Sequence, residues 1–434
     1  MAQIYPFHGF LYNSEIVGDA NSVVTQPYDK TSPAMQDEYY DRSPYNVVRI
    51  TLNQEKRGDE TTSYPDAGAT FRRWIEEKIL IQENRPAVFP YYQEYSADGE
   101  KRIQRGFIAL LDLEDSGSAI IPHENTLAAP KQDRLQLLRS IEGNEDLIYM
   151  LYADEALTID KIMDKHIAGK PPAIEVTDEF AATHRVWALS DPAALQEIQR
   201  AMQTQNLFIA DGHHRFETSV NFMRECQHKG WTPDGTESFN RRMVTCFNSA
   251  AGVTILATHR LLRDIQGFDA ANFLQSLEEH FAVVPLESPE PLWRKMAEER
   301  DRHVFGFYAG NQKYYLLRMK PEALGDAVLQ QHSEPWRELD VSILHTLILD
   351  RHLGIDEVRL AAQTNIDYAR SREACLERVD AGKYQAAFIL NPTTSQQMQR
   401  ISSTGERMPQ KSTDFFPKLL TGLVFMQMKI RKKP

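Results

Sequence analysis

One stretch of the sequence decides the fold: Leu207-Phe208-Ile209-Ala210-Asp211-Gly212-His213-His214-Arg215-Phe216-Glu217-Thr218. Its first four residues are apolar and predict a short buried strand at Leu207–Ala210. Apolar residues at Phe216, Val220 and Met223 follow at helical spacing and predict a helix directly after that strand. The dipeptide Asp211-Gly212 lies between the two elements, and glycine lets the backbone turn sharply there. A strand, a tight turn and a helix in immediate succession are typical of an α/β protein.

Strand and helix signals alternate on both sides of this stretch. Asn46–Leu52 and Met243–Asn248 have the β-branched and apolar composition of strands. Ala67–Gln82 carries apolar residues at helical spacing, so it is predicted to be a helix. This alternation predicts a mixed α/β (α+β) fold.

The length of the chain predicts two lobes. Its 434 residues exceed the usual size of about 100–200 residues for one domain. We expect an N-terminal lobe, 1–235, that carries the Asp211–Arg215 turn, and a C-terminal lobe, 236–434, packed with it as one unit. The turn-rich segment Gly230–Glu237 marks the boundary. The second lobe is expected to end in the segment Met408–Thr413 followed by an apolar helix.

The charge balance argues against nucleic-acid binding. The chain holds 61 acidic and 49 basic residues, for a net charge of −12. A protein that wraps nucleic acid usually has a basic face. Here the only basic cluster is Lys429–Lys433, which we interpret as a solvated end. An anionic ligand would therefore need a local positive site that works against the overall field.

Cysteine content and hydropathy bear on the compartment. The three cysteines show no CxxC spacing and are odd in number, which favours a reducing compartment over a disulfide framework. The N-terminus lacks the pattern of a signal peptide, and no apolar run approaches the ~20 residues of a membrane span. We expect a cytoplasmic protein that does not enter the membrane, with a homodimer as one open expectation for its oligomeric state.

The turn at Asp211–Arg215 has an unusual charge pattern. A helix N-terminus carries partial positive charge and unpaired N–H groups, and each cation placed there costs a few tenths to ~1 kcal/mol. This helix nevertheless starts with His213, His214 and Arg215. A phosphate would offset that cost and would bind the backbone N–H groups and the Arg215 guanidinium. Gly212 lets the backbone approach the phosphate closely. We therefore predict an anion site, most simply for nucleotide phosphates.

Two alternatives stay open at this turn. Asp211 could be no more than an N-cap, with neutral histidines packed beside it. Asp211, His213 and His214 could instead bind a metal ion. Adjacent histidines diverge by about 100° on a helix, which disfavours that arrangement.

Two further segments could supply catalytic or substrate groups. His123-Glu124 follows the strand-like Ala119–Ile121 and could act in acid–base chemistry. It could equally be a surface loop with a cap at Asn125. Tyr28-Asp29 could bind substrate or Mg²⁺, or could form a turn with an Asx cap.

The second lobe offers further polar candidates. His259 and Arg260 end a strand-like run, where α/β sheets often place binding groups, and Arg260 is a candidate phosphate ligand. Lys411-Ser412-Thr413 is similar to the end of a phosphate-binding loop, although the glycine frame GxxxxGK[ST] is missing. Lys411 could contact phosphate, and Ser412 and Thr413 could bind substrate or cap a helix. The motifs HExxH, GxSxG and GxGxxG do not occur.

Taken in chain order, several of these motifs resemble those of one family, DUF1015. The resemblance extends along essentially the whole chain, and the family name itself implies no activity. The motifs that carry it are Pro27-Tyr28-Asp29, Pro44-Tyr45-Asn46, His123-Glu124-Asn125-Thr126, Asp133-Arg134-Leu135, Ile209-Ala210-Asp211-Gly212-His213-His214-Arg215, Thr258-His259-Arg260 and Met408-Pro409-Gln410-Lys411-Ser412-Thr413.

A more distant resemblance implies a mechanism. The turn Asp211–Arg215 looks like the phosphate-binding box of the ParB/sulfiredoxin superfamily, one branch of which comprises free serine kinases. The resemblance implies a ParB/sulfiredoxin-like core with added strands and helices, and contacts from these five residues to nucleotide phosphates. It also implies that Asp211 lies near the metal ion or the acceptor hydroxyl. The general base lies in a motif that cannot be aligned here, and Glu124 is offered for it on residue type alone.

These expectations combine into one functional hypothesis. The chain is expected to be a nucleotide-dependent phosphotransferase that uses ATP or ADP with Mg²⁺ on a small hydroxyl compound, such as a serine-like amino acid. The alternatives are a nucleotide-binding regulator without turnover and a metal-dependent hydrolase, and a ParB-like DNA-binding role ranks below both. A single site further requires that the segments around residues 28, 123, 259 and 411 converge on the turn.

Overall fold

The computed structural model describes residues 2–52, 65–97, 99–114, 119–124 and 128–433. The chain forms two compact units. Unit 1 comprises Met1–Pro122, Thr126–Thr254 and Pro417–Pro434, and unit 2 comprises His123–Asn125 and Ile255–Phe416. The units divide the chain at other positions than the expected lobes, because Arg241–Asn248 is a strand of the large sheet of unit 1.

Unit 1 is built on a mixed sheet of nine strands. Most neighbours run antiparallel, but Leu207–Asp211 is parallel to Ile120–Pro122, and Arg241–Asn248 is parallel to Ile148–Tyr152. The strands, in spatial order, are Ile120–Pro122, Leu207–Asp211, Ile148–Tyr152, Arg241–Asn248, Glu100–Asp112, Phe89–Ala97, Thr183–Val186 and Ile174–Thr177, with Ile4–Tyr5 paired to Glu100–Asp112.

Helices pack on this sheet and bury its apolar side chains. Ile159 and Ile198, from two of the helices, lie in one core with Met150 and Val244 of the central strands. The α-helices described in unit 1 are Ser14–Val17, Pro33–Arg42, Val48–Thr51, Pro65–Glu76, Ala128–Ile141, Thr158–Ile167, Pro192–Met202 and His213–His228. Short strand pairs complete the unit: Phe10–Tyr12 with Leu80–Gln82, Gly143–Asn144 with Met426–Gln427, and Thr232–Pro233 with Ile430–Arg431.

Unit 2 has a six-stranded antiparallel sheet with its own core. Its strands, in spatial order, are Phe281–Leu286, Tyr314–Met319, Val304–Tyr308, Ala386–Ile389, His259–Leu262 and Ile366–Ala369. Its α-helices are Ala270–Leu277, Pro289–Glu298, Glu334–Arg337, Asp340–Ile343, Arg351–Leu353, Glu357–Ala362, Arg372–Asp380 and Ser395–Ser403, and a π-helical segment spans Leu344–Asp350. The mixed α/β fold predicted from the sequence is confirmed.

The stretch that decided the fold forms as predicted. Leu207–Asp211 is a strand whose first four residues are buried. Gly212 alone separates this strand from the helix His213–His228. Buried residues Phe222, Met223 and Cys226 lie on the inner face of that helix. The turn between strand and helix therefore lies at the end of an interior strand of the sheet.

Several local predictions are wrong. The helix predicted for Ala67–Gln82 ends at Glu76, and Leu80–Gln82 forms a strand. His259 and Arg260 do not end a strand but begin the strand His259–Leu262. Asn46–Leu52 was expected to be a strand, but Val48–Thr51 is a helical turn because the Asn46 side chain accepts a hydrogen bond from the Val48 N–H at 2.9 Å. The helix expected after the segment Met408–Thr413 does not form in residues 417–433. This run pairs instead as short strands and bridges, and Gly422 there takes a φ of 91°, which interrupts a helix.

Across the described ranges, none of the helices has the length and apolar character that crossing a membrane would require.

Candidate functional site

The helix that follows the Asp211-Gly212 turn starts without a side-chain cap. Gly212 occupies the N-cap position with φ 93° and ψ 29°, and the first turn contains no acidic residue. Other helices of unit 1 are capped by a side chain, as where Asp191 accepts a hydrogen bond from the Ala194 N–H. Because the first N–H groups of a helix have no acceptor within the helix, this end suits an anion.

Glycine is required at position 212 for two reasons. Its positive φ disfavours any residue with a Cβ atom. A Cβ atom there would also lie 3.1 to 3.2 Å from atoms of the Arg215 guanidinium. Gly212 therefore makes room both for the left-handed turn and for a buried arginine beneath it.

The Arg215 guanidinium points into the protein. It is 6% exposed and donates a hydrogen bond of 2.5 Å to the Leu147 carbonyl oxygen. Its nitrogens lie 4.0 Å from the Asp146 carboxylate and 3.7 Å from the Asp211 carboxylate. Burial alone would lower the pKa of Arg215, but these two carboxylates raise it. Arg215 thus braces the turn from the inside, and direct contact with a phosphate stays a prediction.

Asp211 is held by a lysine that sequence reasoning missed. Lys418 Nζ donates a hydrogen bond of 2.9 Å to Asp211, and Lys418 is only 6% exposed. Burial would raise the pKa of Asp211, but Lys418 and Arg215 hold it well below its ordinary value. The only sequence signal for Lys418 is its place directly before the apolar run Leu419–Leu420, since nothing local connects it to the turn.

The two histidines of the turn differ in exposure. His213 is 8% exposed, whereas His214 is half-buried. Burial lowers the pKa of His214, Glu217 raises it, and Lys131 lowers it again. Lys131 and Glu217 form an ion pair of 2.8 Å. His214 is therefore held towards its neutral form, in which one ring nitrogen donates and the other accepts.

Tyr28 and Asp29 belong to the same electrostatic environment. They lie in the 3-10 helix Tyr28–Lys30, and the guanidinium carbon of Arg134 lies 4.2 Å from the centroid of the Tyr28 ring. Burial raises the pKa of Tyr28 to about 12, against the lowering effect of Arg215. Asp29 is exposed, and its charge acts on Arg215 and His214. The structure therefore brings these two predicted residues together with the turn.

Beneath the turn, unit 1 encloses a small polar cavity. Its charged lining residues are Arg134, Glu145, Asp146, Arg215 and Arg242. Arg242 donates short hydrogen bonds to Asp146, and burial together with Asp146 raises the pKa of Glu145. Asp146 has a lowered pKa because Arg242 and Arg215 outweigh its burial. Sequence reasoning missed the acid pair and Arg242.

In unit 2, His123 and Glu124 lie beside the Ser412-Thr413 loop. His123 Nε2 is 2.9 Å from Thr413 Oγ1 and 3.8 Å from Glu124 Oε1. Glu124 forms a parallel bridge with Met408, which fixes the two segments in register. Ser412 Oγ donates a hydrogen bond of 2.6 Å to the Pro409 carbonyl oxygen. The remaining residues of this motif, Asn125 and Thr126, lie outside the described residues.

Arg260 is the buried centre of the same loop. It is 1% exposed, and it donates hydrogen bonds to the carbonyl oxygens of Thr258 and, at 3.0 Å, of Lys411. Its guanidinium also lies 3.3 Å from His345 Nε2. Burial lowers the pKa of Arg260 to about 10. Lys411 itself is exposed and has a positive φ of 58°.

His259 is buried next to Arg260 and is held neutral. Its Nδ1 accepts a hydrogen bond of 3.3 Å from the Leu390 N–H. Burial, together with the charges of Arg372 and Arg260, lowers the pKa of His259 to about 3. A neutral, hydrogen-bonded imidazole of this kind fits a packing role, and its role in substrate binding stays a prediction.

The predicted residues thus form two groups. Unit 1 collects Tyr28, Asp29, Asp211, Gly212, His213, His214 and Arg215. Unit 2 collects His123, Glu124, His259, Arg260, Lys411, Ser412 and Thr413. Convergence of the two groups on a single site stays a prediction. Within the described ranges, no three His, Cys, Asp or Glu side chains are grouped as a metal site would need.

Comparison with known proteins adds a family and several distant structures. A family model described as protein of unknown function, DUF1015, matches residues 4–342. None of the curated proteins matches the chain. A free serine kinase in complex with AMP is 14% identical and covers 74% of this chain and 91% of its own, at a TM-score of 0.37.

Two other solved structures are similarly distant. A conserved hypothetical protein from Pyrococcus furiosus is 13% identical, covers 72% of this chain and 93% of its own, and has a TM-score of 0.34. SbnI with a C-terminal truncation, from Staphylococcus aureus, is 9% identical, covers 72% of this chain and 85% of its own, and has a TM-score of 0.34.

Proposed function

The chain belongs to the DUF1015 family, as its ordered motifs predict, and we propose that it is a nucleotide-dependent phosphotransferase. Its acceptor is a small hydroxyl-containing metabolite, and a serine-like amino acid is the first candidate. Nucleotide phosphates bind at the Gly212 turn of unit 1, and Mg²⁺ accompanies them.

One observation carries this proposal. The helix His213–His228 starts at a left-handed glycine, has no side-chain cap, and has histidines in place of acidic residues in its first turn. Backbone N–H groups, the positive end of the helix and nearby basic side chains are the groups that bind phosphate at helix N-termini. The resemblance of Asp211–Arg215 to a phosphate-binding box, noted from the sequence, supports the same assignment.

The turn is also rigidly supported, as phosphoryl transfer requires. Catalysis of this reaction depends mainly on positioning and charge neutralisation. Arg215 bonds to the Leu147 carbonyl below the turn, and Lys418 bonds to Asp211 at its start. These contacts fix the backbone of the turn in the absence of ligand, so the entropy cost of ordering the turn on binding is small.

Asp29 fits Mg²⁺ better than Asp211 does. Protein-bound Mg²⁺ takes oxygen ligands, commonly one or two carboxylates together with substrate phosphates. The Asp211 carboxylate is already bonded to Lys418 and lies 3.7 Å from Arg215. Asp29 is exposed, and among the described residues it has no ion pair within 4.0 Å. We therefore assign the metal-ligand role to Asp29 first and to Asp211 second.

The residues of the chain then have distinct tasks. The nucleotide, when bound, supplies the phosphoryl group. Gly212, His213 and His214 bind its phosphates, and Arg215 holds the turn in shape. Tyr28, at the same turn, contacts the acceptor through its hydroxyl, which burial keeps protonated and able to donate a hydrogen bond.

The unit 2 residues keep the roles that the sequence predicts for them. Glu124 and His123 are proposed as acid–base groups, with Ser412, Thr413 and His259 as substrate contacts. Lys411 is exposed and is the stronger candidate for phosphate contact, because Arg260 is buried and bonds to backbone carbonyls.

A thermal-shift screen tests the nucleotide site. ATP, ADP, CTP, GTP, pyrophosphate and phosphate are added with and without Mg²⁺ to the wild type and to His214→Gln. A ligand at about 100 Kd stabilises the native state by about 2.7 kcal/mol. We expect a nucleotide-specific shift that His214→Gln reduces. His228→Gln, at the other end of the same helix, is the matched control and should leave the shift unchanged.

A second pair of variants tests the backbone of the turn. Gly212→Ala should abolish the shift, whereas Gly235→Ala should not, although Gly235 has a φ of 95° and so the same conformational strain. If no nucleotide or anion shifts the folded wild type, the phosphate site is wrong. Stoichiometric Zn, Mn or Fe in that purified protein would then favour the metal-dependent hydrolase.

Turnover separates an enzyme from a regulator. The protein is incubated with the nucleotide that binds, Mg²⁺ and a panel of hydroxyl-containing amino acids and small metabolites. Mass spectrometry then detects the phosphorylated product. A product that forms with wild type and is lost in Asp29→Asn supports the phosphotransferase, whereas binding without any product supports the regulator.

A further inference from the structure

Unit 2 contains a polar cleft that none of the predicted site residues lines. We name it the His303 cleft, after the histidine on its wall. Its cavity volume is about 250 Å³, just below the range of about 300–1,000 Å³ for small-molecule sites, so it suits a ligand of only a few heavy atoms. Its charged and titratable lining residues are Arg300, Asp301, His303, Glu338, Asp340 and Arg400.

His303 is held in a fixed orientation by a carboxylate. Its Nδ1 lies 2.9 Å from Asp340 Oδ1, and both side chains are about four-fifths buried. A carboxylate that holds one imidazole nitrogen sets the tautomer and directs the other nitrogen elsewhere. Among the described residues, no hydrogen bond joins the Nε2 atom of His303 to a partner. Nε2 is therefore the atom available to a ligand.

The backbone at His303 is in the left-handed region, with φ 50° and ψ 72°. Glycine adopts this conformation without penalty, whereas a side chain there raises the energy of the folded state. A structural turn at this position would therefore favour glycine. The imidazole at this strained position, on the wall of a cleft, is consistent with a functional demand.

The two arginines of the cleft have little else to bind. Arg300 is exposed and has no ion pair within 4.0 Å in the described part of the chain, and Arg400 has one, at 3.8 Å, to Glu338. Arg351 of unit 2, by contrast, is closely paired and lies 2.8 Å from Asp326. Because the guanidinium group matches carboxylate and phosphate in shape and charge, Arg300 and Arg400 suit an anionic ligand.

We propose that the His303 cleft binds a small organic acid that also carries hydroxyl or ammonium groups. Arg300 and Arg400 bind its carboxylate or phosphate. Asp301 and Glu338 accept hydrogen bonds from its hydroxyl or ammonium groups. His303, whose Nδ1–H is directed to Asp340, accepts a further one at Nε2. This site is separate in its residues from the nucleotide site of unit 1, so either can fail without the other.

A purely structural role for the His303–Asp340 bond makes different predictions. It would tie the start of the strand Val304–Tyr308 to the helix Asp340–Ile343. Replacing His303 would then change thermal stability alone, and small acids would leave the imidazole unaffected. The binding role predicts that small acids contact the His303 imidazole and shift its resonance.

The test follows the His303 resonance in the full-length protein with ¹³C-labelled histidine, assigned through His303→Asn. Asparagine tolerates the left-handed region, so this variant keeps the turn. Three probes are titrated separately: inorganic phosphate, glycolate and glycine. We expect at least one of them to shift the resonance saturably. Which probe binds tightest identifies the ligand as a phosphate, a hydroxy acid or an amino acid.

Matched variants decide the outcome. Arg300→Gln/Arg400→Gln should weaken the saturable shift at least tenfold. Arg302→Gln removes an exposed arginine from the same turn, outside the cleft, and should leave the shift unchanged. The proposal is overturned if no probe shifts the His303 resonance at millimolar concentration, or if the double variant responds as the wild type does. Nucleotide-induced thermal shifts should be the same in all of these proteins.

Discussion

Each unit buries an arginine beside a polar loop, and the two arginines are neutralised in different ways. Arg215 of unit 1 lies between the carboxylates of Asp146 and Asp211. Arg260 of unit 2 lies among the carbonyl oxygens of Thr258 and Lys411 and the rings of His345 and Tyr368, with no carboxylate within 4.0 Å among the residues that the structure describes.

The environments move the two pKa values in opposite directions. Carboxylates raise the pKa of Arg215 despite its burial, whereas burial lowers that of Arg260 to about 10. The loop of unit 1 is therefore held by ion pairs in addition to the hydrogen bond from Arg215 to the Leu147 carbonyl. The loop of unit 2 is held by hydrogen bonds to backbone carbonyls without an ion pair to Arg260 among the described residues. Removing the charge should affect the two units differently, and this difference can be measured.

The largest effect is expected from removing each guanidinium. Arg215→Met leaves carboxylates buried beside an apolar side chain, and breaking such a pair costs about 3–5 kcal/mol. Arg260→Met leaves only carbonyl oxygens without donors, at about 1–3 kcal/mol. The free energy of unfolding is measured in urea, and hydrogen exchange by mass spectrometry assigns each loss to its unit.

A surface arginine provides the control for this pair. Arg139 forms an ion pair of 2.7 Å with Glu225 at the surface of unit 1, and exposed pairs contribute about 0–1 kcal/mol. Arg139→Met should therefore change stability least. If Arg260→Met costs as much as Arg215→Met, the distinction between ion-paired and carbonyl-bonded arginines fails.

A smaller effect is expected from the Lys418–Asp211 contact. A double-mutant cycle with Lys418→Met and Asp211→Asn should give a coupling of about 1–3 kcal/mol, because both groups are largely withdrawn from solvent. The matched cycle uses Lys432 and Glu142, an exposed pair 2.7 Å apart, and should give less than about 1 kcal/mol. Equal couplings in the two cycles would show that burial adds nothing to the first pair.

These contacts also show what sequence reasoning could and could not predict. The strand, turn and helix around Gly212 were predicted because hydrophobic period and turn residues are local signals. Lys418 and Asp211 are 207 residues apart, and Arg242 and Asp146 are 96 apart. No local pattern relates residues at such separations, so the charged support of the turn became visible only in the fold.

The wrong predictions have equally specific causes. The β-branched run at Val47–Thr51 favours a strand by composition, but the Asn46 side chain accepts a hydrogen bond from the Val48 N–H where a helical turn begins. The apolar run after Lys418 has helical composition, yet each of its residues from Leu419 to Met426 is buried, and Gly422 has a left-handed backbone. A local side-chain hydrogen bond decided the first segment, and tertiary packing decided the second.

Acidification should move the two units in opposite directions. His259 has a lowered pKa in the folded state, so below about pH 6.5 the unfolded state binds more protons and unit 2 loses stability. Glu145 has a raised pKa in the folded state, so its contribution to unit 1 is present below about pH 4.5 and is lost as pH rises above it. Between pH 7 and 5, unit 1 should gain stability from Glu145 while unit 2 loses it from His259.

Hydrogen exchange, resolved by unit and corrected for the intrinsic exchange rate, measures how the stability of each unit changes with pH across this window. The slope of stability against pH is then compared between the two units. A one-unit pKa difference corresponds to about 1.4 kcal/mol, so changes of about this size are expected. His259→Asn should flatten the slope of unit 2, and Glu145→Gln that of unit 1. Parallel slopes in the wild type would mean that other titrating groups dominate.

The smallest effect concerns the two left-handed loop residues, Gly212 in unit 1 and Lys411 in unit 2. Lys411 has a φ of 58°, a conformation that costs a residue with a Cβ atom about 1–2 kcal/mol. Lys411→Gly removes that strain, but the greater entropy of the unfolded chain lowers stability by about 0.4–1 kcal/mol. The free energy of unfolding should therefore rise by less than about 1 kcal/mol. Lys313→Gly, at an exposed position without positive φ, should instead destabilise the protein. If Lys411→Gly destabilises too, the Lys411 side chain itself stabilises unit 2, and strain relief is not what distinguishes the two loops.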